Sequence, residues 1–278
     1  MKEILNFLIL LGIFHSTLET IDEWRNYPAC RLGRLQSPIQ IKEFESNYTN
    51  DFSFVYQNYK PFKIKKEDNL DYAAVYIASE NGKNGGYINF ERGGVIKQYE
   101  LEKFEIYPFL HSIDNDQGDF ELHLVHKKNL DFKTNKNQYR NIQDANMYLV
   151  VVLRYSKECS DYPCTSDNGL LDKIITPNEV IDLNIYSIFQ EKRAYFYEGS
   201  FLHLPCDENV NYYVVKDIFK TEKNKDDLHI EYESAKIKPA NIFGRPIYKN
   251  FMNYKELMKS NYITIQTLTL FILIFILF

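Results

Sequence analysis

Two histidines, a glutamate and a strand-like alternation meet in FELHLVHKK (Phe120–Lys128). His123 and His126 stand three apart, and Glu121 lies two before the first. Imidazole and carboxylate are side chains that ligate transition metals, and imidazole also moves protons near neutral pH. Alternation along a strand puts Glu121, His123 and Val125 on one face and Leu122, Leu124 and His126 on the other. The two histidines therefore cannot chelate one ion from a regular strand, and a metal site using His123 needs ligands from other segments. The acidic turn DNDQGD (114–119) lacks the glycine position and the distant bidentate glutamate of an EF-hand loop, so it reads as a solvated turn.

The elements that must position such residues are mostly strands. DFSFVYQNYKPFKIKK, AAVYIAS, GGYINFERGG, VIKQYELEKFEIYPF, DFELHLVHKK, MYLVVVLRYS, RAYFYEGS and NVNYYVVKDIF are β-branched or aromatic, and several alternate with period two between turn residues. Helical signals are few, the best being SDNGLLDKIITPNEV and NYKELMKS. The class is mainly β with short helices. No internal repeat and no Pro/Gly/Ser linker divides residues 21–250, which read as one domain. The 278 residues are 45% hydrophobic, enough for a sizeable core, and carry a formal charge of −5. Lys and Arg are interspersed with Asp and Glu, so there is no basic stripe of the kind nucleic acid demands.

Both ends read as addresses. Residues 1–20 form a signal peptide: a lysine, then an apolar core over 4–14 that is too short to span a bilayer, with cleavage expected near 16–20. Residues 251–278 form a C-terminal hydrophobic anchor signal, apolar over 262–278 and without a basic flank or tail. That pattern predicts a GPI anchor attached within 253–261, the alternative being a plain membrane helix. Either way the mature domain is expected on the extracellular face of the plasma membrane, through the secretory pathway. Four cysteines in such a chain predict two disulfides rather than a zinc quartet. Cys159 and Cys164 close a small loop, which leaves Cys30 to pair with Cys206. The sequon at Asn47 predicts glycosylation on the surface.

The order of several motifs resembles the α-carbonic anhydrase family over nearly all of the mature chain. YPACRLGRLQSPIQI (27–41) resembles its opening cysteine and QSPI-type turn. YELEKFEIY (99–107) stands where the family has the strand with two zinc histidines, and FELHLVH resembles the strand with the third. YFYEGSFLHLPCDENVNYYVV (195–215) has the frame of Y-x-Y-x-G-S-L-T-T-P-P-C-x-E-x-V-x-W, and FGRPIY (243–248) resembles the N-x-R-P closing motif. The resemblance implies a central twisted, mostly antiparallel sheet of about ten strands with short surface helices. It also accounts for pairing Cys30 with Cys206.

The same resemblance implies a degenerate zinc site. The family's H-x-H pair falls on Glu105 and Tyr107, and only the third ligand position, His123, keeps its histidine, with Glu121 expected to orient it from behind. The threonine that orients zinc-bound hydroxide becomes Leu202, the next threonine becomes His203, and the leucine lining the CO2 pocket becomes Phe201. Val125 shares the cavity face. Lys83 replaces the proton-shuttle histidine, and a lysine with pKa near 10.4 is poorly matched to that task. The family's glutamate partner of the first threonine falls in a shortened segment, and no replacement is assigned. A retained histidine in this setting is expected to hydrogen-bond a neighbour such as Glu105 or Tyr107. These substitutions predict a catalytically inactive, membrane-anchored surface protein without a cofactor, using the fold to bind a protein, a glycan or a small anion. The alternative is an active carbonic anhydrase with an atypical zinc site built from Glu105, Tyr107, His123 and His203.

Overall fold

The strand-like runs pair into one 11-stranded sheet in a computed structural model. The structure describes residues 27–66, 74–77, 79–80, 83–114, 118–132, 146–158, 164–176, 180–182, 184–190, 192–223, 227–228, 240, 242 and 244–252. In chain order the strands are β1 (Asn47–Tyr48), β2 (Phe52–Tyr59), β3 (Lys65–Lys66), β4 (Ala74–Ile77), β5 (Gly86–Arg92), β6 (Val95–Pro108), β7 (Phe120–Lys128), β8 (Tyr148–Ser156), β9 (Ala194–Gly199), β10 (Val210–Lys220) and β11 (Tyr248–Lys249). Across the sheet the order is β1-β11-β9-β10-β8-β7-β6-β4-β3, with β5 on the first half of β6 and β2 on β5. Pairing is antiparallel except between β8 and β10 and between β11 and β1.

Strand β6, 14 residues long, organises the sheet. Its first half pairs with β5 and its second half with β4, while β7 runs along its other edge. The register on β7 steps from Leu101 opposite His126 to Lys103 opposite Val125. Glu102 is therefore an extra residue, a bulge that rotates everything after it by one side. Tyr99 and Leu101 before the bulge, and Phe104 and Ile106 after it, all face the larger apolar core. Lys103, Glu105 and Tyr107 consequently face the opposite side.

Burial on both faces explains the continuous apolar reading of β7 and β8. The larger core gathers Leu122, Leu124, Leu149, Val151 and Leu153 with the aromatics of β2, β5 and β9. The smaller holds Val125, Val150, Val152, Tyr195, Tyr197, Tyr212 and Ile39 on the other face. Alternation on β7 is as expected from its sequence, with His126 on the larger-core side beside Tyr59.

Among the described residues there are three short α-helices, α1 (Pro28–Leu32), α2 (Leu170–Ile175) and α3 (Ile185–Phe189), of which α2 and α3 pack into the larger core. The long helical signal over 166–180 shrinks to α2. Asp167 accepts from the Leu171 amide and the Tyr155 hydroxyl at its start, and Pro177 cannot continue a helix. Val180–Ile181 is extended and pairs with Phe62–Lys63 instead. The second helical signal, NYKELMKS, lies outside the described residues.

Cys30 and Cys206 are bonded, as expected. Cys164 is also disulfide-bonded, and its expected partner Cys159 lies outside the described residues. Asn47 is exposed on β1, the terminal strand of the sheet. The signal segment 1–20 lies outside the described residues, as does the anchor segment 251–278 apart from Phe251 and Met252. Among the described residues no helix is long and apolar enough to cross a membrane.

Candidate functional site

Antiparallel pairing of β6 with β7 sets Glu105 opposite His123 and Tyr107 opposite Glu121. Directly opposed residues share a face, so four polar side chains from two strands converge on the smaller-core side. Their burial is near complete: Glu105 is 2% exposed, His123 1%, and Tyr107 and Glu121 0%.

Glu121 anchors this group. Its Oε1 accepts from the amides of Leu110 (3.3 Å) and His111 (2.5 Å), and its Oε2 accepts from His111 Nδ1 (2.8 Å) and His123 Nε2 (2.9 Å). Burial alone would raise this carboxyl's pKa, but His111 and then His123 hold it well below the usual carboxylate range. The expected hydrogen bond from His123 to Glu105 or Tyr107 is thus replaced by one to Glu121. The Tyr107 ring instead packs on the imidazole, with centroids 4.8 Å apart. With Nε2–H committed to Glu121, the neutral ring carries its lone pair on Nδ1. Burial lowers the His123 pKa, outweighing the bond to Glu121, so the ring is neutral at physiological pH.

Glu105 occupies the opposite corner. The Tyr107 hydroxyl donates to its Oε2 (3.0 Å). Lys103 Nζ lies 2.6 Å from Oε1, a charge contact without hydrogen-bond angles, and His203 Nε2 lies 3.8 Å from the same oxygen. Burial pushes this carboxyl up, but Lys103 first, then His203 and His123, more than offset it and leave the pKa below the ordinary value.

His203 arrives on the loop after β9, fixed by contacts with the N-terminal turn. The Ser37 amide donates to Ser200 Oγ (3.1 Å) and the Ser200 amide donates to Ser37 Oγ (3.2 Å). Gly199 is required there, because a Cβ would stand 2.1 Å from Ser37 Oγ. Glu208 accepts from the Leu35 amide (2.6 Å) and Gln36 Nε2 (3.0 Å), and the Cys30–Cys206 bond closes the same junction. Arg245, in the closing motif, donates to the carbonyls of Glu198 (2.9 Å) and Gln36. On the loop so held, Phe201 stacks on His203 (4.9 Å) and meets Tyr148 edge-on (4.6 Å), while Leu202 is buried. Val125 is fully buried in the smaller core rather than lining open space. Lys83 belongs to a short strand, Lys83–Asn84, paired with Ser79–Glu80; its side chain lies outside what the structure describes.

Comparison with known proteins matches residues 19–259 to the eukaryotic-type carbonic anhydrase family. The chain belongs to that family. Relatives include alpha carbonic anhydrase 8 of Arabidopsis thaliana, 27% identical over 72% of this chain and 47% of that protein. A carbonic anhydrase of Nostoc is 26% identical over 66% and 64%, and carbonic anhydrase 6 of Mus musculus 24% over 88% and 83%. The chain thus spans between about half and two thirds of the first two relatives' length. Among solved structures it resembles dioscorin complexed with ascorbate (TM-score 0.60, 20% identity, 82% of this chain and 90% of that one). It also resembles the α-carbonic anhydrase of Thermovibrio ammonificans complexed with sulfanilamide (TM-score 0.53, 20% identity, 80% and 90%).

The family is zinc-dependent, and its ligand positions here can be tested against that ion. Zinc takes nitrogen ligands at about 2.0–2.1 Å in a tetrahedron, which sets neighbouring donors roughly 3.3 Å apart. Among the described residues, His, Cys, Asp and Glu converge three at a time only at His111, Glu121 and His123. There the donors are 2.8 and 2.9 Å apart, hydrogen-bond distances, and His111 Nε2 is further paired with the Tyr197 hydroxyl (2.6 Å). This trio is a proton-filled network. At the positions that the motif resemblance assigns to the ligands, only His123 offers an imidazole, and Tyr107 and Glu105 bond each other. The residues present do not fit zinc in the family's mode. Leu202 cannot accept a hydrogen bond from a nucleophilic hydroxide.

Two members of the site escaped the sequence reading. His111 is a lone histidine in an irregular stretch, and only the fold brings it to Glu121. Lys103 stands two residues before Glu105 and shares its face, but by counting it is also in phase with Tyr99 and Leu101, which face the larger core across the Glu102 bulge.

Proposed function

We propose that this carbonic-anhydrase-family protein does not hydrate CO2 and uses the inherited fold for recognition. The carrying observation is the bond from Tyr107 to Glu105, which joins two of the three ligand positions to each other rather than to an ion. The apolar Leu202, in the place of the hydroxide-orienting threonine, supports the same reading. The ligand is a protein, a glycan or a small anion. Phe201, stacked on His203, and Tyr148, edge-on to Phe201, are both half-buried and offer an aromatic surface that suits a small planar group. The dioscorin structure is a complex with ascorbate, which makes small organic anions the class to screen first. The two end segments support display on the outer surface of the cell by a lipid anchor or membrane helix, with Asn47 glycosylated.

The test is zinc content and CO2 hydration of the purified secreted protein. Sub-stoichiometric metal and a hydration rate equal to the uncatalysed one are expected. Stoichiometric zinc together with hydration that His123→Ala abolishes would establish the active alternative and refute the proposal.

A further inference from the structure

A carboxylate buried to 2% exposure needs a counter-charge, since removing an ion from water costs several kcal/mol unless it is paired. In a metal site the ion supplies it. Here a lysine stands in that place. Lys103 stands two residues before Glu105 on β6 and so shares its face, with its Nζ 2.6 Å from Glu105 Oε1. Its side chain keeps 18% exposure, enough to leave the ammonium partly hydrated, while the carboxylate beneath it keeps 3%. The second carboxylate oxygen is taken by Tyr107.

We propose that Lys103 is a built-in replacement for the family's metal ion: its ammonium neutralises Glu105 and thereby excludes a divalent cation from that carboxylate. The converse follows from the same geometry. Without the lysine charge, the Glu105 carboxylate keeps His203 Nε2 3.8 Å away and His123 opposite it on β7, oxygen and nitrogen donors of the kind zinc takes. This inference rests on the metal-free reading of the site but is tested separately from it.

The experiment uses the full secreted protein, chelator-treated, with thermal melts and bound-metal analysis before and after adding zinc chloride. Lys103→Met should lower the melting temperature by about 5 to 15 °C, because removing one partner of a buried pair is strongly destabilising. It should then bind about one zinc and recover part of that loss, while the parent neither binds zinc nor shifts. Lys103→Met/Glu105→Gln should lose the zinc response and be more stable than Lys103→Met, since both charges have gone. If Lys103→Met does not fold, the melt of the double variant against Glu105→Gln carries the test. Lys103→Met should then cost little once Glu105 is neutral. Parental stability of Lys103→Met without zinc uptake, or an equal Lys103→Met cost in the Glu105→Gln background, would overturn the proposal. Zinc uptake by the parent would overturn it as well, whereas hydration activity in the parent is the separate result that sinks the functional reading.

Discussion

Acid should weaken this fold through His126 before the buried Glu105 and Glu121 titrate. The ring is fully buried on the larger-core side, with Nδ1–H directed at the carbonyls of Leu124 (3.0 Å) and Leu149 (3.2 Å) and Nε2 at the Tyr59 hydroxyl (2.7 Å). Its neutral form is satisfied, and burial lowers its pKa to about 4, outweighing the two carbonyls that favour the charged form. A folded pKa below the unfolded value of 6.5 means the unfolded chain takes up the proton first as pH falls. The contribution is therefore nil above about pH 6.5, grows as a penalty down to about pH 4, and is constant below. At pH 5 the penalty is roughly 2 kcal/mol, from about 1.4 kcal/mol per pH unit across the open part of that window. His123, lowered in the same direction, adds to it. Glu121 and Glu105, whose pKa values are depressed, lose their stabilisation only below about pH 4.5, so the interval from pH 7 to 5 isolates the imidazoles. Urea denaturation at both pH values would measure the loss in the parent and in His126→Asn, which keeps a donor for the Leu124 carbonyl. The variant should be less stable at pH 7 but lose about 2 kcal/mol less on going to pH 5. Equal losses in the two proteins would refute the assignment.

Gly199→Ala should cost about 1–3 kcal/mol, because its Cβ would overlap Ser37 Oγ at 2.1 Å and the Tyr197 ring at 2.9 Å; a parental urea midpoint would contradict the close approach. Reduction of Cys30–Cys206, which closes 176 residues of sequence, should remove about 5 kcal/mol in the chain-entropy model. Melting with and without reductant in a Cys159→Ser/Cys164→Ser background reads that bond alone, and an unchanged melting temperature would show that other contacts hold the junction.

Alternation along β7 was legible from its sequence because both faces of a sheet strand obey the same period, and the separation of His123 from His126 followed directly. The strand runs around it were equally plain, being long and rich in β-branched and aromatic residues. Helices were harder: α2 keeps only six residues of its signal, since a neighbouring strand captures Val180–Ile181. What the pattern does not carry is the bulge at Glu102. One extra residue exchanges faces for everything downstream, so Lys103, in phase by counting with core-facing Tyr99 and Leu101, faces the site with Glu105 and Tyr107 instead. His111 was illegible for a different reason. Its partner Glu121 is ten residues away on another element, and their meeting depends on how the intervening turn folds back.

The junction between residues 28–38 and 199–208 has a consequence for synthesis. Its contacts span 163 to 176 positions along the chain, so the N-terminal turn waits with unsatisfied amides until most of the protein has left the ribosome. Central strands β6, β7 and β8 are sequential neighbours and can associate early, whereas the parallel pairing of β8 with β10 and the seating of His203 come last. The surroundings of His203 are therefore among the last parts of the molecule to form, and an interrupted chain displays an open sheet edge at β8. Oxidation of Cys30 with Cys206 then marks completion of the domain, a covalent seal applied once the whole sheet has been assembled.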